Sequence, residues 1–436
     1  MIGSATNTVI GEEIYSFASK IFPICRSLTG SGVRHTLQEI NNLGIDLKIY
    51  KVPSGTKVYD WQVPDEWNIS DAFIIDPAGE KILDFQDSNL HVVGYSEPID
   101  AELSLVELLP HLHSLPERPA AVPYVTSYYE RRWGFCLTEN QKKKLKPGTY
   151  RAVIKSTLEP GEMNYGEVLI QGRSSKEIFL STYICHPSMA NNEVSGPAVL
   201  AFIAKTLQEF KEDLNFSYRI VFIPETIGAI AYVSRNLKVL QERVIAGLNV
   251  TCVGDDRAYS YLPSRAGDTL ADRALKTVLP HFDKKYKHYT FLQRGSDERQ
   301  YCAPGVDLPV CSFMRSKYGE YPEYHTSDDN LQLISANGLR DSFLVVQKWM
   351  QVLERNAIYQ AKILCEPQLG KRGLYSTLGG QETGDSLGKK LTDVFTYADG
   401  RKDLIEVSEI IGLSFDETAM LAQMLEEQHI IEELER

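Results

Sequence analysis

An α/β fold with a mostly parallel sheet flanked by helices is predicted by three stretches, each running from a buried strand into residues suited to chemistry. Ile178 to Cys185 is a short apolar run rich in β-formers that ends on His186-Pro187. Tyr218 to Ile223 is a second such strand and delivers Pro224-Glu225 to its carboxyl end. Leu308 to Phe313 is a third, beyond which the chain reads Tyr324-His325-Thr326-Ser327-Asp328-Asp329. Open α/β sheets bind ligands outside the carboxyl ends of their strands, so these imidazoles and carboxylates are expected on one rim. They form the ligand set that zinc takes when water fills an open position.

In chain order, Ile10 to Ile21 has helical spacing, and Val33 to Asn42 forms a second helix with Ser31 near its start. The polar segment Cys25 to Gly30 joins them, and Ile45 to Val52 reads as a strand. From about Asp60 to Pro147 the chain turns rich in Trp, Tyr and Pro, with short extended pieces. We read residues 60–149 as a β-rich domain inserted into a catalytic domain of residues 1–59 and 150–365. Its aromatic residues Trp61, Trp67, Tyr124, Tyr128, Tyr129 and Trp133 either build a small core or wall a cleft.

Sheet rhythm is expected to resume near Tyr150. Ser195-Gly196-Pro197 opens a helix over Ala198 to Phe210, with Pro in its first turn. Ile227 to Leu237 and Asp272 to Leu279 read as helices, Val244 to Val253 as a strand, and Leu339 to Glu354 as a long amphipathic helix. Gly370 to Gly388 is a polar, Gly-rich link. Leu391 to Thr396, Leu404 to Ile411 and Glu417 to Glu427 then make three short helices, as in a winged-helix domain over residues 370–436.

Composition bounds the function. With 436 residues, 43% hydrophobic and 24% charged, the chain is a globular protein of two or three domains. The net charge of −12 argues against nucleic acid as a partner. Glu417, Glu426, Glu427, Glu432, Glu433 and Glu435 crowd the last helix and its exit, which favours a protein partner or homo-oligomer contact for the C-terminal domain. No long apolar run or signal pattern is present, and the seven cysteines show no Cys-x-x-Cys spacing, so a cytoplasmic protein with reduced thiols is expected. Cys185 stands beside His186, but strand alternation is expected to turn it to the opposite face.

The stretches CHPSMANNEVSG (Cys185 to Gly196), PETIGAIAY (Pro224 to Tyr232), GSDERQY (Gly295 to Tyr301) and YHTSDDN (Tyr324 to Asn330) resemble the co-catalytic zinc aminopeptidases. With RSLTGSGVR (Arg26 to Arg34) and YVTSYYERRWGFCL (Tyr124 to Leu137), nearly the whole chain is similar to a bacterial aminopeptidase-like family sometimes associated with polysaccharide biosynthesis. The resemblance implies a zinc-aminopeptidase-like sheet and metal-assisted amide hydrolysis of a small peptide or amino-acid conjugate. The departures weigh equally. Ser188 stands where those enzymes have the Asp that orients the first His, and Asn192 where an Asp bridges two metals. Thr226 replaces a ligand Glu, while Thr251 falls near the remaining Asp, with Asp255 and Asp256 the nearest carboxylates.

The match therefore implies one zinc ion rather than two, held by His186, His325 and Glu193, with Glu225 as general base. Asp297 or Glu298 would hold a substrate ammonium group, and Arg294, Arg299 and Arg315 an anionic one. Two other readings stay open. One is a metal-poor binding protein on a peptidase fold, favoured by Asn192 and Thr226; the other is a regulator whose C-terminal domain binds DNA.

Overall fold

A computed structural model describes residues 7–374 and 386–434, which divide into two compact units. The first holds the expected sheet. Its eight strands run in the order Lys48–Pro53, Glu162–Ile170, Ser217–Ile223, Glu177–Tyr183, Val244–Val250, Val310–Met314, Ser260–Leu262 and Lys287–His288. The four central strands, from Ser217–Ile223 to Val310–Met314, are mutually parallel. Antiparallel pairing brings Glu162–Ile170 and Lys48–Pro53 to one side and Ser260–Leu262 to the other. The strands Glu177–Tyr183 and Ser217–Ile223 are buried along their whole length, as strands covered on both faces must be. Helices Ser195–Glu209 and Ile227–Arg243 follow them directly, so His186 and Glu225 stand side by side at the strand ends.

The inserted region builds a separate antiparallel sheet in the order Lys81–Asp84, Glu66–Ile75, Thr149–Glu159, Ile99–Ser104. Its longest strand therefore takes in residues expected to restart the main sheet. Thr149–Glu159 alternates between buried and exposed positions for much of its length, the signature of a sheet with one wet face. Ala72, Ile74, Leu83, Phe135, Tyr150, Ala152 and Ile154 form its core.

In the second unit, strands Asp399–Asp403, Ile358–Ala361 and Ile431–Glu433 pair antiparallel beside helices Leu387–Thr396, Leu404–Ile411 and Phe415–Glu427. The strand Ile358–Ala361 lies upstream of the expected boundary at residue 370. Helix Leu404–Ile411 starts on an Asp403/Glu406 capping box and stops at Gly412, whose φ of 71° suits a residue without a Cβ. Part of the Gly-rich link, residues 375–385, and Glu435 lie outside the described residues. No helix among those described is long and apolar enough to cross a membrane.

Candidate active site

The two histidines expected to share a cation do meet. Their ring centroids lie 5.4 Å apart, and the Tyr124 ring lies 5.3 Å from His186 and 5.1 Å from His325. His186 Nδ1 lies 3.0 Å from Glu193 Oε2, and Nε2 lies 3.7 Å from Glu225 Oε2, beyond hydrogen-bonding distance. A carboxylate only accepts, so Nδ1 carries a ring proton, and Nε2 is the nitrogen that faces Glu225. Burial opposes protonation of His186, but Glu193 and Glu225 outweigh it and raise its pKa.

His325 is the electrostatic opposite. Burial, then the charge of His186, pushes its pKa down to about 3, and its buried Nε2 has no hydrogen-bond partner among the described residues. Its backbone takes a φ of 57°, a strained value for a side chain of this size. The surroundings hold it there. Tyr324 stacks on the ring at 3.8 Å, and Tyr124 N donates to the His325 carbonyl at 2.8 Å. Pro123 bridges Thr326, and Ser327 N donates to the Val122 carbonyl. The inserted region thus clasps the loop that carries the second imidazole.

Glu225 precedes a tight turn. Ile227 N donates to the Glu225 carbonyl at 2.8 Å, and Thr226 between them takes φ 65° and ψ −79°, a rare and strained γ-turn. Two side chains pin it: Thr226 N donates to Asp297 Oδ1 at 2.7 Å, and Arg299 Nη2 donates to Thr226 Oγ1 at 2.6 Å. Burial raises the Glu225 pKa, with His186 and Arg299 opposing. Burial and the charge of Glu225 raise that of Asp297.

Several expected roles need revision. Glu193, expected as a metal ligand, sits behind His186: Oε2 takes the Nδ1 proton and Oε1 accepts from Arg26 Nε at 3.0 Å. A sequence cannot show this, because Glu193 belongs to a π-helical turn, Ala190–Val194, whose side-chain directions follow no simple period. Glu298 has no free acceptor to offer a substrate. It takes hydrogen bonds from Gly295 N, Ser296 N, Tyr318, Asn249 and Ser312. Asp297 and Arg299 reach the site by bracing Thr226. Arg294 is exposed over the Phe291 ring, and Arg315 is buried over Tyr259 with Asp341 at 4.0 Å. Asp255 is taken up by Asn191 and Ser316.

Cys185 is not turned away from His186, because the regular strand ends at Tyr183 and alternation ends with it. Its Sγ lies 3.4 Å from His186 Nδ1 and accepts from Glu225 N at 3.1 Å. Burial, reinforced by Glu193 and Glu225, pushes the thiol well above its usual range, which disfavours a nucleophilic thiolate. Among the described residues, Cys185, His186 and Glu225 offer donor atoms within 4.8 Å of one another. Sγ approaches the nitrogen already committed to Glu193, and His325 lies outside this group, its ring centroid 5.4 Å from that of His186.

The aromatic residues divide between the two expected roles. Trp67 is buried in the core, Trp61 and Tyr129 are exposed, and Tyr124 shares a 2.6 Å hydroxyl contact with Tyr128 beside the histidines. Sequence reasoning missed Tyr183. Its hydroxyl accepts from Asn192 Nδ2 at 2.6 Å and from Thr251 Oγ1 at 2.5 Å. Asn192 and Thr251, two of the neutral residues at expected acid positions, are thus tied to one another.

Two features suit the imidazoles themselves to a metal: the buried, neutral His325 nitrogen has no partner among the described residues, and the far nitrogen of His186 is bonded to a carboxylate, as in metal-bound histidines.

Comparison with known proteins follows this geometry. A protein of Clostridium acetobutylicum, provisionally assigned as a polysaccharide biosynthesis protein with an aminopeptidase-like domain, is 44% identical over 406 residues, 93% of this chain and 92% of its own. The crystal structure of a provisionally assigned peptidase from Clostridium acetobutylicum matches with a TM-score of 0.92 at 41% identity, covering 98% of both chains. A zinc aminopeptidase from Bacillus subtilis shares the fold, with a TM-score of 0.55 at 13% identity over 78% of this chain and 94% of that one. A winged helix-turn-helix family model matches residues 357–433. The model described as Domain of unknown function (DUF4910) matches residues 15–356. Aminopeptidase-like in fold and carrying a C-terminal winged helix, the chain belongs to that family.

Proposed function

We propose that the protein is a single-zinc hydrolase of amide bonds acting on a small peptide or amino-acid conjugate. The observation that carries this reading is the meeting of His186 and His325, rings 5.4 Å apart, beside the Glu225 carboxylate. The two imidazoles would hold the ion, which when bound supplies a water of lowered pKa and polarises the scissile carbonyl. Glu225, its pKa raised by burial, accepts the proton of the attacking water and returns it to the leaving amine. Tyr124, packed between the imidazoles, walls the site and excludes solvent from it.

One ion rather than two is favoured by the Tyr183 cluster. Asn192 and Thr251 are neutral, carry no charge to bridge a second dication, and donate to the phenol, and Thr226 is committed to Arg299. The provisional assignment of the Clostridium acetobutylicum relative to polysaccharide biosynthesis directs the substrate search to amide-bearing sugars as well as peptides.

The test is metal analysis of the purified protein, followed by assay of aminoacyl anilides with and without added zinc. One zinc per chain and zinc-dependent release of the amine are expected. A chain that holds no zinc and cannot be loaded would instead fit a binding protein on the peptidase fold, the reading that Asn192 and Thr226 favour.

A further inference from the structure

We infer that Arg26, in the loop between the first two helices, is a positioning residue for the metal site: through Glu193 it fixes the orientation and tautomer of His186. The inference rests on the single-zinc reading for its purpose but not for its geometry. Arg26 is 1% exposed although it belongs to no regular element. Its Nε lies 3.0 Å from both Glu193 Oε1 and the His186 carbonyl, while Nη1 donates to the Ile21 carbonyl at 2.7 Å and to Thr36 Oγ1 at 3.3 Å. One guanidinium therefore grips the carboxylate behind the imidazole and the backbone of the histidine itself. Glu193 completes the relay with its other oxygen on Nδ1 at 3.0 Å.

The arrangement is costly, which argues that it does more than hold the fold. Two charged groups, each about 1% exposed, have been taken out of water, and Arg26 Nη2 has no hydrogen-bond partner among the described residues. A pair of apolar side chains of similar volume usually serves stability as well. What such a pair cannot do is hold a proton on Nδ1 and so turn Nε2 towards Glu225. Ser188, placed where related enzymes carry the orienting acid, is turned elsewhere: it donates to the Phe22 carbonyl and accepts from Asn89. The relay occupies the role that Ser188 leaves open. Lysine would not replace Arg26, because its single ammonium lacks the fork that reaches these acceptors together.

The experiment compares the wild-type chain with Arg26→Lys, Glu193→Gln and the charge-free double variant Arg26→Met/Glu193→Leu. The double variant leaves no unpaired buried charge and is expected to fold. Affinity for zinc and cobalt is measured by chelator competition, the His186 ring tautomer by nitrogen-15 NMR of the metal-free protein, and folding by thermal melts. The expected result is a roughly 10- to 100-fold loss of metal affinity in the double variant, with a folded chain and a His186 ring that no longer holds one tautomer. A double variant with wild-type affinity and an unchanged ring spectrum would overturn the inference. If the wild type binds no metal, the hydrolase reading fails, and the ring spectra alone decide whether Arg26 sets the tautomer.

Discussion

At the scale of single residues, the site is a division of labour among groups of the same chemical type. Two histidines are driven to opposite protonation tendencies: Glu193 and Glu225 attract a proton to His186, while burial and the neighbouring ring strip it from His325. Two glutamates lie on opposite sides of one imidazole, Glu193 bonded to Nδ1 and Glu225 facing Nε2, the carboxylate proposed as base. This division makes Glu225→Gln informative. As general base, its loss should lower kcat by about 10²- to 10⁴-fold and leave the zinc content intact, as elemental analysis would read. Loss of zinc together with activity would instead make Glu225 a ligand. His325→Ala should remove metal and activity together, since it deletes a nitrogen that no protein group satisfies.

That His186, Glu225 and His325 come together was legible in the sequence because each follows a buried strand or a short distinctive motif, and topology alone brings strand ends together. Where Glu193 and Glu298 spend their charges was not legible, for a shared reason. A charged residue near a motif looks available, yet its availability depends on hydrogen bonds made by remote segments. Glu298 is the clearest case, with its acceptors filled by residues from three stretches of chain.

At the scale of elements, the helix Ser31–Asn41 is fastened by a cross-element ion pair. Arg34 Nη2 donates to Glu66 Oε1 at 2.7 Å; Asn68 and Glu162 N also donate to that carboxylate. Burial alone would raise the Glu66 pKa, but these donors prevail and lower it to about 2. The folded pKa lies below the unfolded one, so between about pH 4.5 and pH 2 the unfolded chain binds more protons. The contribution is complete above that window and lost as pH falls through it. Glu66→Gln should therefore flatten the fall of melting temperature across this window relative to wild type.

The same scale explains the misassigned strand. Thr149–Glu159 has the apolar content of the main sheet, but its alternation belongs to the inserted one, and short-range pattern cannot say which partner a strand will choose. In the C-terminal unit, Ile405 is fully buried on helix Leu404–Ile411. Ile405→Ala should cost about 2–5 kcal/mol of stability, read by chemical denaturation followed in that unit, with zinc content unchanged.

At the scale of the whole molecule, the two units differ in what the sequence revealed of them. The α/β class followed from three strands, and the winged-helix arrangement from three short helices in succession. The start of the winged helix did not, because its first strand, Ile358–Ala361, precedes the Gly-rich stretch that looks like a boundary. Charge carries the remaining prediction. With a net charge of −12 and acids along helix Phe415–Glu427, the full chain should give no shifted band with duplex DNA, even in low-salt gels. A salt-sensitive complex would reopen the regulator reading.

The clasp between Val122–Tyr124 and His325–Ser327 has a temporal meaning as well as a spatial one. The imidazoles come from distant points of the polypeptide, and the splint on the second comes from a third, so none of this geometry exists in a partly collapsed chain. Loop closures of that span are slow. A refolding chain should therefore acquire its secondary structure first and become competent to capture a cation only at the end, when the splint has closed.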